Sequence, residues 1–323
     1  MKICVYGAGA IGGLMAAWLA RSGHDVSVVA RGAQLDAIRR SGLRVQSKGE
    51  TETFNVKAES DPARLGPQDY VLVTVKAQSL TGVAETIAPL LGKQTSVVTA
   101  MNGVPWWFFQ GIRAQDNRLE SLDPGGKLTR AIAIERIVGC VIHLAASTQE
   151  PGVVSHNMSA KLILGEPGGR NTARTQRIAT ALSAAGFEVI VTNAIEKEFW
   201  VKLLGNVSFN PVSALTVTTA DELIRNQEVK AYMVEIMREV LAIGRAVGVD
   251  ADIDPEARID MARALGRFKT SMHQDLEAGK PLEIDGLLAG TLEIARKAGV
   301  RAPFTESLYG LIRARAQSTG QYR

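Results

Sequence analysis

At 323 residues the chain is longer than one ordinary hydrophobic core supports, and it fits two domains. Hydrophobic residues make up 46% and charged residues 22%, the proportions of a globular protein. The net charge of +4 is spread without a Lys/Arg run or interleaved aromatics, which excludes a built nucleic-acid surface; no apolar run approaches the length of a membrane span.

Cys4 and Cys140 both sit in apolar, strand-like runs, so they read as reduced core residues of a cytoplasmic protein. The first strand begins at residue 2 and glycines interrupt the apolar stretch after it, unlike a secretion signal. The four histidines, at 24, 143, 156 and 273, lack metal-ligand spacing, and no protein metal site is expected.

The chain opens with a strand over 2–6, and Gly7-Ala8-Gly9-Ala10-Ile11-Gly12 follows at once. A helix over 11–21 and a second strand over 26–30 complete the unit. In this GxGxxG context Gly7 makes the tight turn, Gly9 lets backbone approach a pyrophosphate, and Gly12 lets the helix pack on the strand. The N–H groups of Ala10 and Ile11 then open the helix, where the dipole favours phosphate. The second strand ends at Arg31, with no carboxylate until Asp36. An acidic residue there would bind the ribose of NAD, whereas a guanidinium accommodates a 2′-phosphate, so the expected cofactor is NADP(H). The plainer reading of Arg31 is a solvated loop arginine.

A helix over 33–41, strands near 43–46 and 51–54, and a continuous apolar strand ending at Val75 come next. A helix over 79–91 leads to a strand over 96–100. This alternation predicts an α/β fold with a Rossmann-type doubly wound sheet. Residues 105–135 read as irregular, with the aromatic cluster Trp106-Trp107-Phe108-Phe109. Strands over 137–142, 153–155 and 162–164, a helix over 172–185 and a strand over 187–191 close a first domain of 1–193. Beyond Ala194 strand patterns vanish, giving an all-α C-terminal domain of 194–323 and an expected cleft between the two. Val229, Met233, Ile236, Met237 and Val240 recur at helical spacing and read as core.

A helix over 196–210 is apolar on most sides, yet it carries Lys202, Asn206 and Asn210 at steps of four. That spacing places them in one stripe, and buried polar groups require partners. The stripe is either an internal hydrogen-bonded seam or a substrate surface, in which a partly buried lysine could protonate a carbonyl oxygen as hydride arrives. Lys76 and Asn102-Gly103 follow sheet strands at their carboxyl ends, where open α/β sheets bind ligands.

Together these features resemble the ketopantoate reductase (2-dehydropantoate 2-reductase) family over nearly the whole chain. The marks are the glycine loop, Arg31, Val75-Lys76-Ala77, Asn102-Gly103, Lys202-Leu203-Leu204-Gly205-Asn206 through Asn210-Pro211, and Thr270-Ser271 with Glu283-Ile284-Asp285. The resemblance implies NADPH-dependent reduction of a 2-oxo acid, with ketopantoate the default substrate. It makes Lys202 the general acid and Glu283 its charged partner and a substrate-hydroxyl ligand. It also makes Asn102, Asn206 and Asn210 orienting amides, Ser271 the ligand of the substrate carboxylate, and Lys76 a helper near the cofactor. Three departures stand out: a long stretch between Asn102 and the strand at 137, and Ala220 and Phe268 where polar residues are expected. The aromatic stretch reads as a lid, a homodimer contact or a loop packed down on its own side chains. The competing readings are a hydroxy-acid or opine-type dehydrogenase with another substrate, and a non-catalytic NADP sensor.

Overall fold

The computed structural model describes residues 1–112, 118–156 and 160–322. The chain divides into two compact units: Met1–Met101 with Gly125–Ile195, and Asn102–Pro124 with Glu196–Arg323.

In the first unit β1 (Lys2–Tyr6), α1 (Ala10–Arg21), β2 (Asp25–Val29) and α2 (Gly32–Ser41) run as the apolar periodicity requires. They are followed by β3 (Leu43–Ser47), β4 (Glu50–Phe54), β5 (Lys57–Glu59), β6 (Gln68–Val73), α3 (Leu80–Thr86) and β7 (Leu91–Ala100). The expected helix over 79–91 is shorter than predicted. Pro89 lacks an N–H and crowds the carbonyl four residues back, so α3 stops at Thr86 and a 3-10 turn spans Ala88–Leu90. Strand β7 begins at once afterwards, five residues earlier than its apolar half at 96–100 suggests. After α4 (Phe108–Gly111), which belongs to the other unit, come α5 (Lys127–Ala131), β8 (Ile137–Leu144), β9 (Ser147–Glu150), β10 (Val153–Ser155) and β11 (Ala160–Gly165). The unit closes with α6 (Ala173–Ala185) and β12 (Glu188–Val191).

The main sheet has the order β12-β11-β8-β7-β6-β1-β2-β5. Every neighbouring pair is parallel except β8 with β11. From β5 to β8 this is the doubly wound dinucleotide-binding order, with the strand order reversing between β1 and β6. Ile3, Val5, Tyr70, Leu72 and Val98 lie at 0–1% exposure and pack with Leu14, Met15 and Leu19 of α1. Cys4 and Cys140 are buried free thiols, and burial pushes the Cys4 thiol up to about 12, keeping it protonated and inert. A second sheet of order β4-β3-β10-β9 packs beside α1.

The second unit is helical. It comprises α4 and α7 (Ile195–Thr216), α8 (Ala220–Arg225), α9 (Gln227–Ala246), α10 (Pro255–Arg263), α11 (Ser271–Glu277), a π-helical turn Asp285–Ala289 running into α12 (Gly290–Lys297), and α13 (Pro303–Ser318). Side-chain caps start several of them: Asn226 accepts from the Val229 N–H, Asp254 from Ala257 and Thr270 from His273, and at α8 Glu222 accepts from the Thr219 N–H. Helix α7 runs past the expected stop at 210 and through Pro211. An interior proline costs about 3 kcal/mol. Here Val212 and Ala214 beyond it lie at 4% and 0% exposure, and their burial offsets that cost.

The irregular 105–135 stretch divides between the units, and its residues 113–117 lie outside the described residues. Its aromatics are core. Trp106, Trp107, Phe108 and Phe109 are exposed by 2% or less, Phe108 stacks on Trp200 at 5.2 Å, and Trp107 meets Phe199 edge-on at 5.5 Å. Segment 102–124, placed with the first domain by sequence pattern, therefore packs as part of the helical unit. Glu293 fastens its far end, accepting from the backbone N–H groups of Glu120 and Ser121 at 2.8 Å each. Among the described residues no helix is long and apolar enough to cross a membrane.

Candidate functional site

The first unit presents a phosphate cradle at the switch between β1 and β6. Gly7 ends β1 at φ +110, where a Cβ would lie 2.6 Å from Val75 Cγ1. Gly12 is tighter still: a Cβ there would lie 2.0 Å from the Gly7 carbonyl oxygen and 2.3 Å from Thr74 Oγ1. Gly9 is the opposite case, with open space where its Cβ would be and exposed backbone at the N-cap of α1. Two glycines close the turn and the third leaves room for a ligand. Ala10 and Ile11 follow as the first helical residues, and neither their turn nor Gly9 carries a side-chain cap, so their N–H groups point outward as an anion site.

Thr74 and Gln34 are parts of this cradle that sequence pattern did not flag. Thr74, directly after β6, donates from Oγ1 to the Gly7 carbonyl at 2.7 Å. Gln34 donates to the Ala8 carbonyl at 2.5 Å and accepts from the Gly152 N–H at 3.0 Å. The only sequence signal for either was a polar side chain closing an apolar run or opening a helix. Arg31 is exposed at the end of β2 and caps the start of α2 in extended conformation. Lys76 is half-buried two residues after Thr74 and opens a 3-10 turn. The residues present thus fit a dinucleotide: a glycine cradle with no Cβ in the way, a helix N-terminus and a guanidinium at the ribose end.

The second unit holds Lys202, Asn206 and Asn210 on α7, with Lys202 and Asn206 half-buried and Asn210 at 9% exposure. Lys202 Nζ donates to Asn102 Oδ1 at 2.6 Å, a short charge-assisted bond across 100 residues of sequence. Asn102 is held by the next residues. Gly103 has φ +81, and a Cβ on it would lie 2.3 Å from the Gly286 carbonyl oxygen; the Val104 N–H donates to that same oxygen at 2.9 Å. Gly286 belongs to the π-helical turn, and Glu283 stands half-buried three residues earlier, just before the helix begins. The turn carrying Glu283 is therefore tied to the loop that carries Asn102.

Asn210 Nδ2 approaches Ser271 Oγ at 3.5 Å, a long contact. Ser271 is exposed at the first residue of α11. The two departures, Ala220 and Phe268, are neighbours, since the Ala220 N–H donates to the Phe268 carbonyl at 3.0 Å. The C-terminal tail locks the same region. Gln321, 5% exposed, donates to the carbonyls of Asp275, Leu276 and Lys280, its own carbonyl accepts from the Leu282 N–H, and Tyr322 Oη donates to Asp285 Oδ1 at 2.7 Å. Burial, and then its bond to Asp285, pushes the Tyr322 phenol well above its ordinary value, so it remains a donor.

A doubly wound dinucleotide cradle joined in one chain to a helical unit with an inward-set lysine defines a nicotinamide-dependent oxidoreductase. Residues 3–169 match the family model described as ketopantoate reductase PanE/ApbA, and 194–316 match its C-terminal counterpart. The chain belongs to the ketopantoate reductase family, NADP-dependent oxidoreductases that act on a CH–OH group. It is 42% identical over 325 residues to the 2-dehydropantoate 2-reductase of Mesorhizobium japonicum, covering 100% of each chain. A solved chain from Ralstonia solanacearum MolK2 is 45% identical with a TM-score of 0.95, covering 99% of each. The 2-dehydropantoate 2-reductase of Geobacter metallireducens GS-15 is 30% identical with a TM-score of 0.86, covering 98% of this chain and 100% of that one.

Proposed function

We propose that the protein reduces a 2-oxo acid, 2-dehydropantoate being the substrate of first choice, to the 2-hydroxy acid with NADPH. The observation that carries this reading is the 2.6 Å bond from Lys202 to Asn102, which fixes an ammonium on a largely apolar helix that also carries Asn206 and Asn210. Similarity to curated 2-dehydropantoate 2-reductases supports the choice of substrate. NADPH, when bound at the glycine cradle, supplies the hydride for the carbonyl carbon.

The remaining work falls to side chains. As the carbonyl oxygen gains charge, Lys202 Nζ transfers a proton to it and the 2-hydroxy acid results. Asn102 holds the ammonium in one orientation, so little rearrangement is needed during the step. Asn206 and Asn210 extend the hydrogen-bonding surface along the substrate, and Ser271, close to Asn210, receives its carboxylate. Glu283 takes the substrate hydroxyl and balances the lysine charge. Arg31 pairs with the 2′-phosphate, Gly7, Gly9, Ala10, Ile11 and Gly12 hold the pyrophosphate, and Lys76 lies at the end of β6 toward the cofactor.

The test is NADPH oxidation across a panel of 2-oxo acids, repeated with Lys202→Ala. The expected outcome is turnover of 2-dehydropantoate by the parent protein and a loss of roughly 10²–10⁴-fold in kcat for the variant, with cofactor affinity nearly unchanged. Turnover of other acids but not 2-dehydropantoate would assign a different substrate, and turnover of none would favour a cofactor sensor. A fully active variant would remove Lys202 as proton donor.

A further inference from the structure

Helix α10 carries an arginine that the mechanism above does not use. Arg258 is half-buried, and its guanidinium lies directly on Gly205 of α7. A Cβ on Gly205 would lie 2.2 Å from Arg258 Nη2 and 2.8 Å from Cζ, so only a glycine leaves the guanidinium this place. Gly205 stands three residues after Lys202 and directly before Asn206, and residues three apart on a helix are surface neighbours.

Other partly buried arginines of this protein have acceptors. Arg136 donates to the carbonyls of Gly92 and Thr95, and Arg174 pairs with Glu166. Among the described residues nothing accepts a hydrogen bond from the Arg258 guanidinium, and no carboxylate pairs with it. Burial alone holds its pKa below the ordinary arginine value. The guanidinium is partly withdrawn from water and has no protein acceptor among the described residues, so an arriving anion would supply the charged hydrogen bond that water alone now provides.

We propose that Arg258 binds the carboxylate of the 2-oxo acid through its guanidinium fork, over Gly205 and beside the Lys202 stripe. The assignment rests on the reading of that stripe as the substrate site. It makes Arg258 the charged determinant of specificity for acids over neutral carbonyl compounds, because its planar fork matches a carboxylate bidentately and gains nothing from an ester.

The experiment compares the parent protein with Arg258→Gln and Arg258→Lys on a 2-oxo acid and on its methyl ester. Binding of oxamate to the NADP-loaded protein is measured in parallel by titration calorimetry. For Arg258→Gln the expected result is a KM for the acid, and a Kd for oxamate, raised roughly 10–100-fold, with the ester's KM and the NADPH affinity unchanged. Arg258→Lys should fall between. Gly205→Ala, which displaces the guanidinium while leaving the charge in the chain, should reproduce the acid-selective loss even if the Gln variant folds poorly. An unchanged KM for the acid, or equal losses on acid and ester, would overturn the assignment. If the parent protein turns over no 2-oxo acid, the functional reading fails by itself; oxamate binding to parent and variant still decides the role of Arg258.

Discussion

Gly7, Gly9 and Gly12 are one residue type with three separate physical roles. Gly12 has its place because any side chain would enter the Gly7 carbonyl, Gly7 because its φ is +110, and Gly9 because open space faces it. Spacing alone pointed to these roles, since a strand, a tight turn and a helix leave few ways to arrange the glycines. Arg31 tests the cradle at the ribose end. On the proposed pairing of Arg31 with the 2′-phosphate, Arg31→Ala should weaken NADPH by roughly 10–100-fold while barely changing NADH, read from the ratio of the two Kd values. An unchanged ratio would refute the phosphate assignment. Arg258 illustrates the opposite situation. Its residue type and position in the sequence suggest an ordinary surface arginine, and only the glycine beneath it, distant in sequence, reveals a fitted place.

At the scale of elements, segment 102–124 shows how the helical unit builds its lysine surface. The chain leaves β7, turns at Gly103 against the π-helical turn, and buries four aromatics before Glu293 caps its far end. Gly103→Ala combines a left-handed φ with a Cβ set against the Gly286 backbone. Its expected cost is roughly 3 kcal/mol in denaturant unfolding, together with a fall in kcat, because Asn102 would lose its hold on Lys202. Full stability and full activity in this variant would show that the turn does not position Asn102. Helix α7 carries the same lesson. Its polar stripe was legible from steps of four, whereas its passage through Pro211 was not, since burial of the residues beyond it outweighs a local signal to stop.

For the molecule as a whole, acid stability should report a carboxylate that takes no part in the proposed chemistry. Glu166 is fully buried; it accepts from the Thr172 N–H at 3.0 Å and from the hydroxyls of Thr172 and Thr175 at 2.6 and 2.7 Å, and it pairs with Arg174. Burial raises its pKa, but these four partners together hold it below the ordinary 4.5. The stability it contributes is therefore complete above the unfolded value and is lost as pH falls through the lower folded value. Glu166→Gln should cost about 3 kcal/mol at neutral pH and flatten the acid limb of the stability curve. An unaltered pH dependence of the unfolding midpoint would show that Glu166 is not its source.

The amino-acid sequence by itself determined what depends on neighbours along the chain. The glycine turn between β1 and α1, the apolar strands of the doubly wound sheet, the core stripe of α9 and the shared face of Lys202, Asn206 and Asn210 all follow from periodicity and local sterics. Tertiary structure decided whatever depends on partners far apart: the edge strand β5, the membership of segment 102–124, the Gly103 contact with Gly286, and the seat of Arg258 on Gly205. These arise from close approaches between segments up to about 180 positions apart, and periodicity within one segment carries no information about what will press against it.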